Sequence, residues 1–552
     1  MPPGPAAGGR VAQGAAQGAS QDAALREAID RLREGGFAAA ARLAEPVYHA
    51  RPTSLEPMLV LGLALGGCGH PDLAADLLDE VARRRPDAPH PAADLLGLLG
   101  AAGREEAAAD YLAAAGALAP RDPTLALAAG DWARSRGRAA AAREAYGRAL
   151  ALRPGWSEPA LRLSSLAVAA DEPEEAVAVL EAALAAGPPS AELCNNLGVL
   201  LAGLGRLPAA LARFEEGLRL APDLARLRVN RAMALLKAGR RREGWAEFEW
   251  RLRDPGVRRL LPEAPLLTPG VPLAGRTVLV TYDSGFGDTI QFARYLPRLR
   301  AAGASVLLWV PTPLGRLLAD VAGADSVLSG DMVLPRFDWH CPIMRLPLVL
   351  GEAAEPIPAA PYLKADPALA ARWAGWLAAL PAGRRIGLVW AGSARAHDAH
   401  LAEIDARRSL DAAALAPLGA VPGLCWVGLQ HGDGPRARQA PPGLVLHDPM
   451  GEVRDFADTA AIIAGLEAVV SVDTSVAHLA GAMGRKVLLL DRHDNCWRWL
   501  TGREDSPWYP TLRIFRQERW GEWGPVVARV AAALGHVPPG PARPDDPGRA
   551  RG

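Results

Sequence analysis

The stretch Val469–Leu490, VVSVDTSVAHLAGAMGRKVLLL, decides the fold. Apolar, β-branched-rich sequence runs up to Val472, Asp473, Thr474 and Ser475 follow, then a small-residue segment, then a second apolar run. This order reads as strand, short turn, helix and strand, the pattern of a parallel α/β unit. Asp473 is placed to cap the helix, with the Thr474 and Ser475 hydroxyls beside its first N–H groups. The partial positive charge of a helix N-terminus makes such a turn a seat for phosphate, and Gly481 and Gly484 ease close packing behind it. An ordinary capped helix, with His478 filling space one turn on, fits the same residues.

Working outward, RIGLVWAG (Arg385 to Gly392), CWVGLQ (Cys425 to Gln430) and LVL (Leu444 to Leu446) read as strands of the same series. An earlier series starts with RTVLVTYD (Arg276 to Asp283) and continues through SVLLWV (Ser305 to Val310) and DSVL (Asp325 to Leu328). Between its first two strands, SGFGDTIQFARYLPRL is a glycine turn opening an amphipathic helix with Ile290, Ala293 and Leu296 on one face. Two doubly wound lobes are expected, 276–365 and 385–536, joined by a linker at 366–384. Such sheets bind ligands at the carboxyl ends of their strands.

Before them the signal is a repeat. Pro52, Pro86, Pro120, Pro154, Pro188 and Pro222 are spaced by 34 residues, and Gly35, Gly69, Gly103, Gly137, Gly205 and Gly239 keep the same period, with Asp171 in the missing place. Ala40, Ala74, Ala108, Ala142, Ala176, Ala210 and Gly244 mark a helical contact position. Each unit reads as two antiparallel helices. Glycine turns the chain between them, proline ends the second, and a small residue lets them approach. The pattern resembles the tetratricopeptide repeat. Seven units are expected over 21–256, stacked as an α-solenoid with a groove lined by the first helices. Asn196 and Asn230, again 34 apart, occupy a place where a side-chain amide could hold an extended polypeptide. Two solvated polar residues is the other reading. Residues 1–20 and 537–552 read as an unstructured leader and tail, and 257–275 as a proline-rich linker.

Lysine plus arginine equals aspartate plus glutamate, 61 each, so no overall field recruits nucleic acid or an anionic membrane. No apolar run is long enough to span a bilayer. Five scattered cysteines without a CxxC pair fit reduced thiols in a cytoplasmic protein better than a disulfide frame or a zinc site.

GFGD (Gly285 to Asp288) lacks the third glycine and later acid of a dinucleotide fingerprint. Its pairing with the Asp473 turn is more informative: one lobe offers a carboxylate that can take an acceptor's proton, the other a phosphate seat. An N-cap role for Asp288 is the alternative. GFGDTIQFARYLP, VSVDTSVAHLAGAMG and WRWLTGREDSPWYPTLRIFRQ together resemble bacterial tetratricopeptide proteins with a C-terminal glycosyltransferase family 9 (heptosyltransferase-like) domain. That resemblance implies a GT-B fold of two Rossmann-like lobes and an inverting, metal-independent transfer from a nucleotide sugar, with no cofactor. It implies Asp288 as general base. It implies donor contacts at Gly285, Gly287, Gly392, Ser393, Arg408, Ser409, Gln430, Asp473, Thr474, Ser475, His478 and Arg503. The expected acceptor is a hydroxyl on a protein, flagellin-like, held by the repeat groove at Asn196 and Asn230.

The chain departs from the family in three places. Asp283-Ser284 stand where relatives often have Glu-Gln. The loop from Ser393 through Ala394, Arg395, His397 and Asp398 carries extra residues before Arg408-Ser409. A sugar-phosphate lysine has no counterpart, so heptose is not implied. The tryptophans of the last motif read as cover for a sheet end. A scaffold with an inactive transferase-like domain, and a lipopolysaccharide sugar transferase, are the alternative functions.

Overall fold

A residue that turns the chain from one helix into an antiparallel one often takes a left-handed backbone, which glycine adopts at no steric cost. In the computed structural model Gly35, Gly69, Gly103, Gly137, Gly205 and Gly239 have φ between 68° and 88°, and Asp171, where glycine is missing, has φ 59°. The structure describes the chain outside residues 1–7, 86–87, 119, 259–260, 331–332, 352–355, 359, 394–398, 433–434 and 536–552. Among the described residues the repeats fold as seven helix pairs of tetratricopeptide type. The alanines of the contact series are fully buried, from Ala40 to Ala210.

The chain divides into two compact units, Met1–Leu193 and Cys194–Gly552, so the last repeats belong with the sheets rather than with the earlier repeats. In the first unit, helix Gly8–Arg33 runs through most of the stretch read as a leader. That reading gave too little weight to alanine, the strongest helix former, and Arg51 fastens the helix through Gly18 O, Gln21 and Asp22. The expected tail at 537–552 lies outside the described residues. A second small-residue series, not recognised in the sequence, explains the close packing. A Cβ at Gly130 would stand 2.4 Å from the Tyr146 ring, and in the second unit one at Gly198 would stand 2.6 Å from Phe214.

The second unit holds two parallel sheets. The first joins β1 (Thr277–Thr281), β2 (Ser305–Val310), β3 (Ser326–Ser329) and β4 (Trp339–Pro342) in the order β3-β2-β1-β4. The second joins β5 (Arg384–Val389), β6 (Leu424–Gly428), β7 (Leu446–His447), β8 (Ala468–Val472), β9 (Lys486–Asp491) and β10 (Leu512–Arg516) in the order β10-β9-β8-β5-β6-β7. All pairings are parallel. The second is the doubly wound order 3-2-1-4-5-6, and the first is its beginning, 3-2-1-4. All five residues of β8 are buried, as a central parallel strand requires.

Neither expected linker is a free connector. Residues 366–384 contain helix Pro367–Ala378, capped by Asp366, whose Oδ1 accepts from Leu369 N–H at 2.8 Å. Its buried Trp373 donates to Asp458 at 2.9 Å. In 257–275, Leu267 is fully buried and its carbonyl accepts from Arg345 at 2.8 Å. The last repeat helix, Arg241–Phe248, places Trp245 edge-on to Phe292 and Trp497, at 5.5 and 5.3 Å between centroids. Just beyond it Arg251 donates to buried Asp283 at 2.6 Å. Burial pushes the Asp283 carboxyl up, against the pull of Arg251. This pair gives a packing reason for an aspartate at position 283.

Candidate active site

In a doubly wound sheet the connections leave on opposite faces either side of the first strand, opening a crevice at the carboxyl ends of strands one and four. In the first sheet these are β1 and β4, and the chain leaves β1 through Ser284-Gly285 into helix Phe286–Phe292. In the second they are β5, followed by Gly392, and β8, followed by Asp473.

Asp288 lies on the first turn of helix Phe286–Phe292. Its Oδ2 accepts from the Gly285 N–H at 3.0 Å, which ties the glycine turn to the helix. Its Oδ1 accepts from Arg498 Nη2 across the two lobes. Arg498 also donates from Nε to Gln291 Oε1 at 2.7 Å and from Nη1 to Cys496 Sγ at 3.1 Å, and lies 4.2 Å from the Trp497 ring centroid. Both side chains of the ion pair are largely buried, 11% and 17% exposed, where a charge must be matched.

On the facing side, the N-cap position of helix Ser475–Ala482 is Thr474 rather than Asp473, and it makes no side-chain cap hydrogen bond. Thr474 Oγ1 instead shares a 3.0 Å hydrogen bond with Ser471. The Asp473 carboxylate lies 3.7 Å from His478 Nε2, and His478 Nδ1 is 2.9 Å from the Tyr509 hydroxyl. His478 also stacks on Trp499 with centroids 5.4 Å apart. Burial opposes charge on Asp473, yet His478, Arg498 and Arg408 hold its carboxyl well below the usual carboxylate range.

The β5 loop is held by side chains that hydrogen-bond its backbone. Gln430 Oε1 accepts from the Trp390 and Ala391 N–H groups at 3.0 and 2.9 Å, and its Nε2 donates to Ala391 O and His431 O. Ser409 Oγ accepts from Gly392 N–H at 3.0 Å. Gln430 and Ser409 therefore shape the loop. Arg408 ends helix Ala399–Arg408, formed by part of the extra sequence after Ser393. It pairs with Asp405 at 2.8 Å and donates to the Asp473 carbonyl at 3.3 Å. A Cβ at Gly392 would stand 2.3 Å from both partners of that pair, so any larger residue there would have to displace it. Ser393 is exposed, and Ala394, Arg395, His397 and Asp398 lie outside the described residues.

The lobes meet at Gly287. A Cβ there would stand 2.8 Å from His478 Cδ2 and 3.5 Å from Ser475 Cα, so the second glycine of GFGD is where helix Phe286–Phe292 packs on helix Ser475–Ala482. The structure thus brings Gly285, Gly287, Asp288, Arg408, Asp473, Ser475 and His478 together. It does not bring Arg503, which forks onto Asp505 two residues away with Nε at 2.8 Å. The arginine that reaches Asp288 is Arg498, passed over in the sequence because the tryptophans on either side read as sheet cover. Trp497, Trp499 and Trp508 are indeed buried. Phe286 and Phe456 form a further contact across the lobes, edge to face at 5.4 Å. Asn196 and Asn230 lie in the last repeats, but Asn230 Nδ2 donates to Asn195 Oδ1 at 2.9 Å, so that amide already has a partner in the neighbouring helix.

No protein-family model matches the chain. Protein FlbA of Caulobacter vibrioides is 28% identical over 292 residues, 48% of this chain and 47% of that protein. The chain therefore spans about half the length of that relative. Among solved structures, YrrB, a TPR protein with an unusual peptide-binding site, is 18% identical with a TM-score of 0.26, covering 33% of this chain and 94% of its own. A thermophilic TPR protein of Thermus thermophilus is 23% identical with a TM-score of 0.20, covering 39% and 99%. No helix among the described residues is long and apolar enough to cross a membrane.

Proposed function

We propose that the chain is a glycosyltransferase of GT-B architecture, inverting and metal-independent. It moves a sugar from a nucleotide-sugar donor to a hydroxyl of a protein acceptor brought by the repeats. One observation carries this reading: the helices that follow β1 and β8 meet at Gly287, with the Asp288 carboxylate on one side and the start of helix Ser475–Ala482 on the other. A displacement between two bound molecules needs that division. Asp288 takes the proton of the attacking hydroxyl while the helix N–H groups steady the departing diphosphate. The Asp473–His478–Tyr509 series holds the second side in place.

Binding of the donor alone is tested by thermal unfolding of the purified chain with a panel of nucleotide sugars, with and without EDTA. One nucleotide class should raise the midpoint, because a ligand at one hundred times its Kd adds about 2.7 kcal/mol to a folded state. The rise should persist in EDTA. A midpoint that moves with no nucleotide sugar, or only with added divalent cation, speaks against this donor site.

A scaffold carrying an inactive transferase-like domain is favoured by a different observation. Both oxygens of Asp288 are engaged, one by Gly285 N–H and one by Arg498, so the base is covered.

A further inference from the structure

We propose that Arg498 is an exchange residue that holds Asp288 until a donor diphosphate binds, then turns to the diphosphate and uncovers the base. The inference rests on the transferase reading above and adds an order of events to it. Three features of the pair carry it. The contact is cross-lobe: Asp288 belongs to the first lobe and Arg498 to the second, 210 residues on. The guanidinium is anchored through Nε to Gln291, whereas its Nη1 has only the Cys496 sulfur, a weak acceptor. Its outer nitrogens can therefore change partner about a fixed anchor, and a planar guanidinium matches the oxygens of a diphosphate well.

The second partner would come from the facing side. Gly287, next to Asp288, stands against Ser475 at the start of its helix, and in the proposal a diphosphate at that helix start is the guanidinium's second partner. Gln291, which anchors Arg498, is fully buried, and among the described residues its Nε2 has no hydrogen-bond partner. Arg498 also bears electrostatically on Asp473 of the facing lobe.

In the resulting sequence the donor binds first and draws Arg498 away from Asp288 Oδ1. The acceptor hydroxyl then takes that oxygen's hydrogen bond. The hydroxyl oxygen forms a bond to the sugar C1 as the C1–O bond to the diphosphate breaks. The bonding pair leaves with the diphosphate, whose added negative charge faces Arg498, and the proton goes to Asp288. Base and leaving group are thereby served in turn by one cation, and an acceptor arriving first finds the base covered.

The test is calorimetric titration of the full-length chain and two variants with ADP, UDP, GDP, CDP and dTDP, with folding checked by circular dichroism. Asp288→Asn removes the charge that competes for Arg498, so the nucleoside diphosphate that binds the parent should bind this variant about tenfold tighter or more, since a population held in a closed form lowers apparent affinity by its fraction. Arg498→Lys should bind about tenfold weaker, having lost the forked contact. Equal or weaker binding by Asp288→Asn overturns the exchange while leaving the donor site standing. If none of the five binds the parent or Asp288→Asn, the donor site itself fails and the exchange with it. Should Arg498→Lys not fold, the near-isosteric Asp288→Asn still decides.

Discussion

Asp288→Asn should keep the fold and lose about 100- to 10,000-fold of sugar transfer, the range that general-base catalysis contributes. Asparagine keeps the shape, and its single amide oxygen can still accept from Gly285 N–H, so the turn that positions residue 288 survives while the Arg498 contact is lost. What it cannot do is take a proton at neutral pH. The expected pattern is therefore donor binding retained or strengthened with turnover lost, read as nucleoside diphosphate released in the presence of acceptor. Undiminished release by the purified variant would remove Asp288 from the chemistry. Loss of turnover together with loss of the cooperative unfolding transition would place its role in folding.

The largest effect on stability is expected at Trp245. Its ring is 3% exposed and packs edge-on against Phe248, Phe292 and Trp497, which joins the last repeat helix to both lobes. Trp245→Ala should cost about 3–5 kcal/mol, the usual cost of emptying a large buried aromatic site. Among the described residues its indole N–H has no hydrogen-bond partner, so the loss is one of packing. Urea unfolding followed by circular dichroism measures it. A change below about 1 kcal/mol, within the range of surface substitutions, would mean that the repeat helix is not part of this core.

The repeats were legible because their period is set by backbone chemistry. A helix turn that needs positive φ leaves glycine at six of the seven turns, and Asp171 takes the same left-handed backbone at the other. The strands β1, β2, β5, β6, β8 and β9 were legible because buried parallel strands are continuous apolar runs. The others were harder. β4 is WHCP, four residues with a histidine and a proline, and β10 is LRIFR, whose arginines look like loop charge. The expected LVL strand is displaced to Leu446–His447, leaving Val445 exposed.

At the candidate site the local motifs were readable, but the long-range partners were not. Asp288 and Asp473 stand out beside glycine and threonine turns. Arg498 does not, since only folding brings it across 210 residues to Asp288. Gln430 and Ser409 are donor contacts only as the family resemblance implies. In the fold their side chains satisfy the backbone of the β5 loop. Asn230 was read by its 34-residue spacing from Asn196, and the hydrogen bond it makes goes instead to Asn195 beside it.

The most direct measurement is the intact mass of a flagellin-like protein co-expressed with the full-length chain or with Asp288→Asn. The transferase account predicts a gain of one or more sugar masses with the parent and none with the variant. An acceptor mass unchanged by a parent chain that binds a nucleotide sugar would contradict protein as the acceptor. An unchanged mass with no nucleotide sugar bound would leave the repeats and the two sheets as a scaffold.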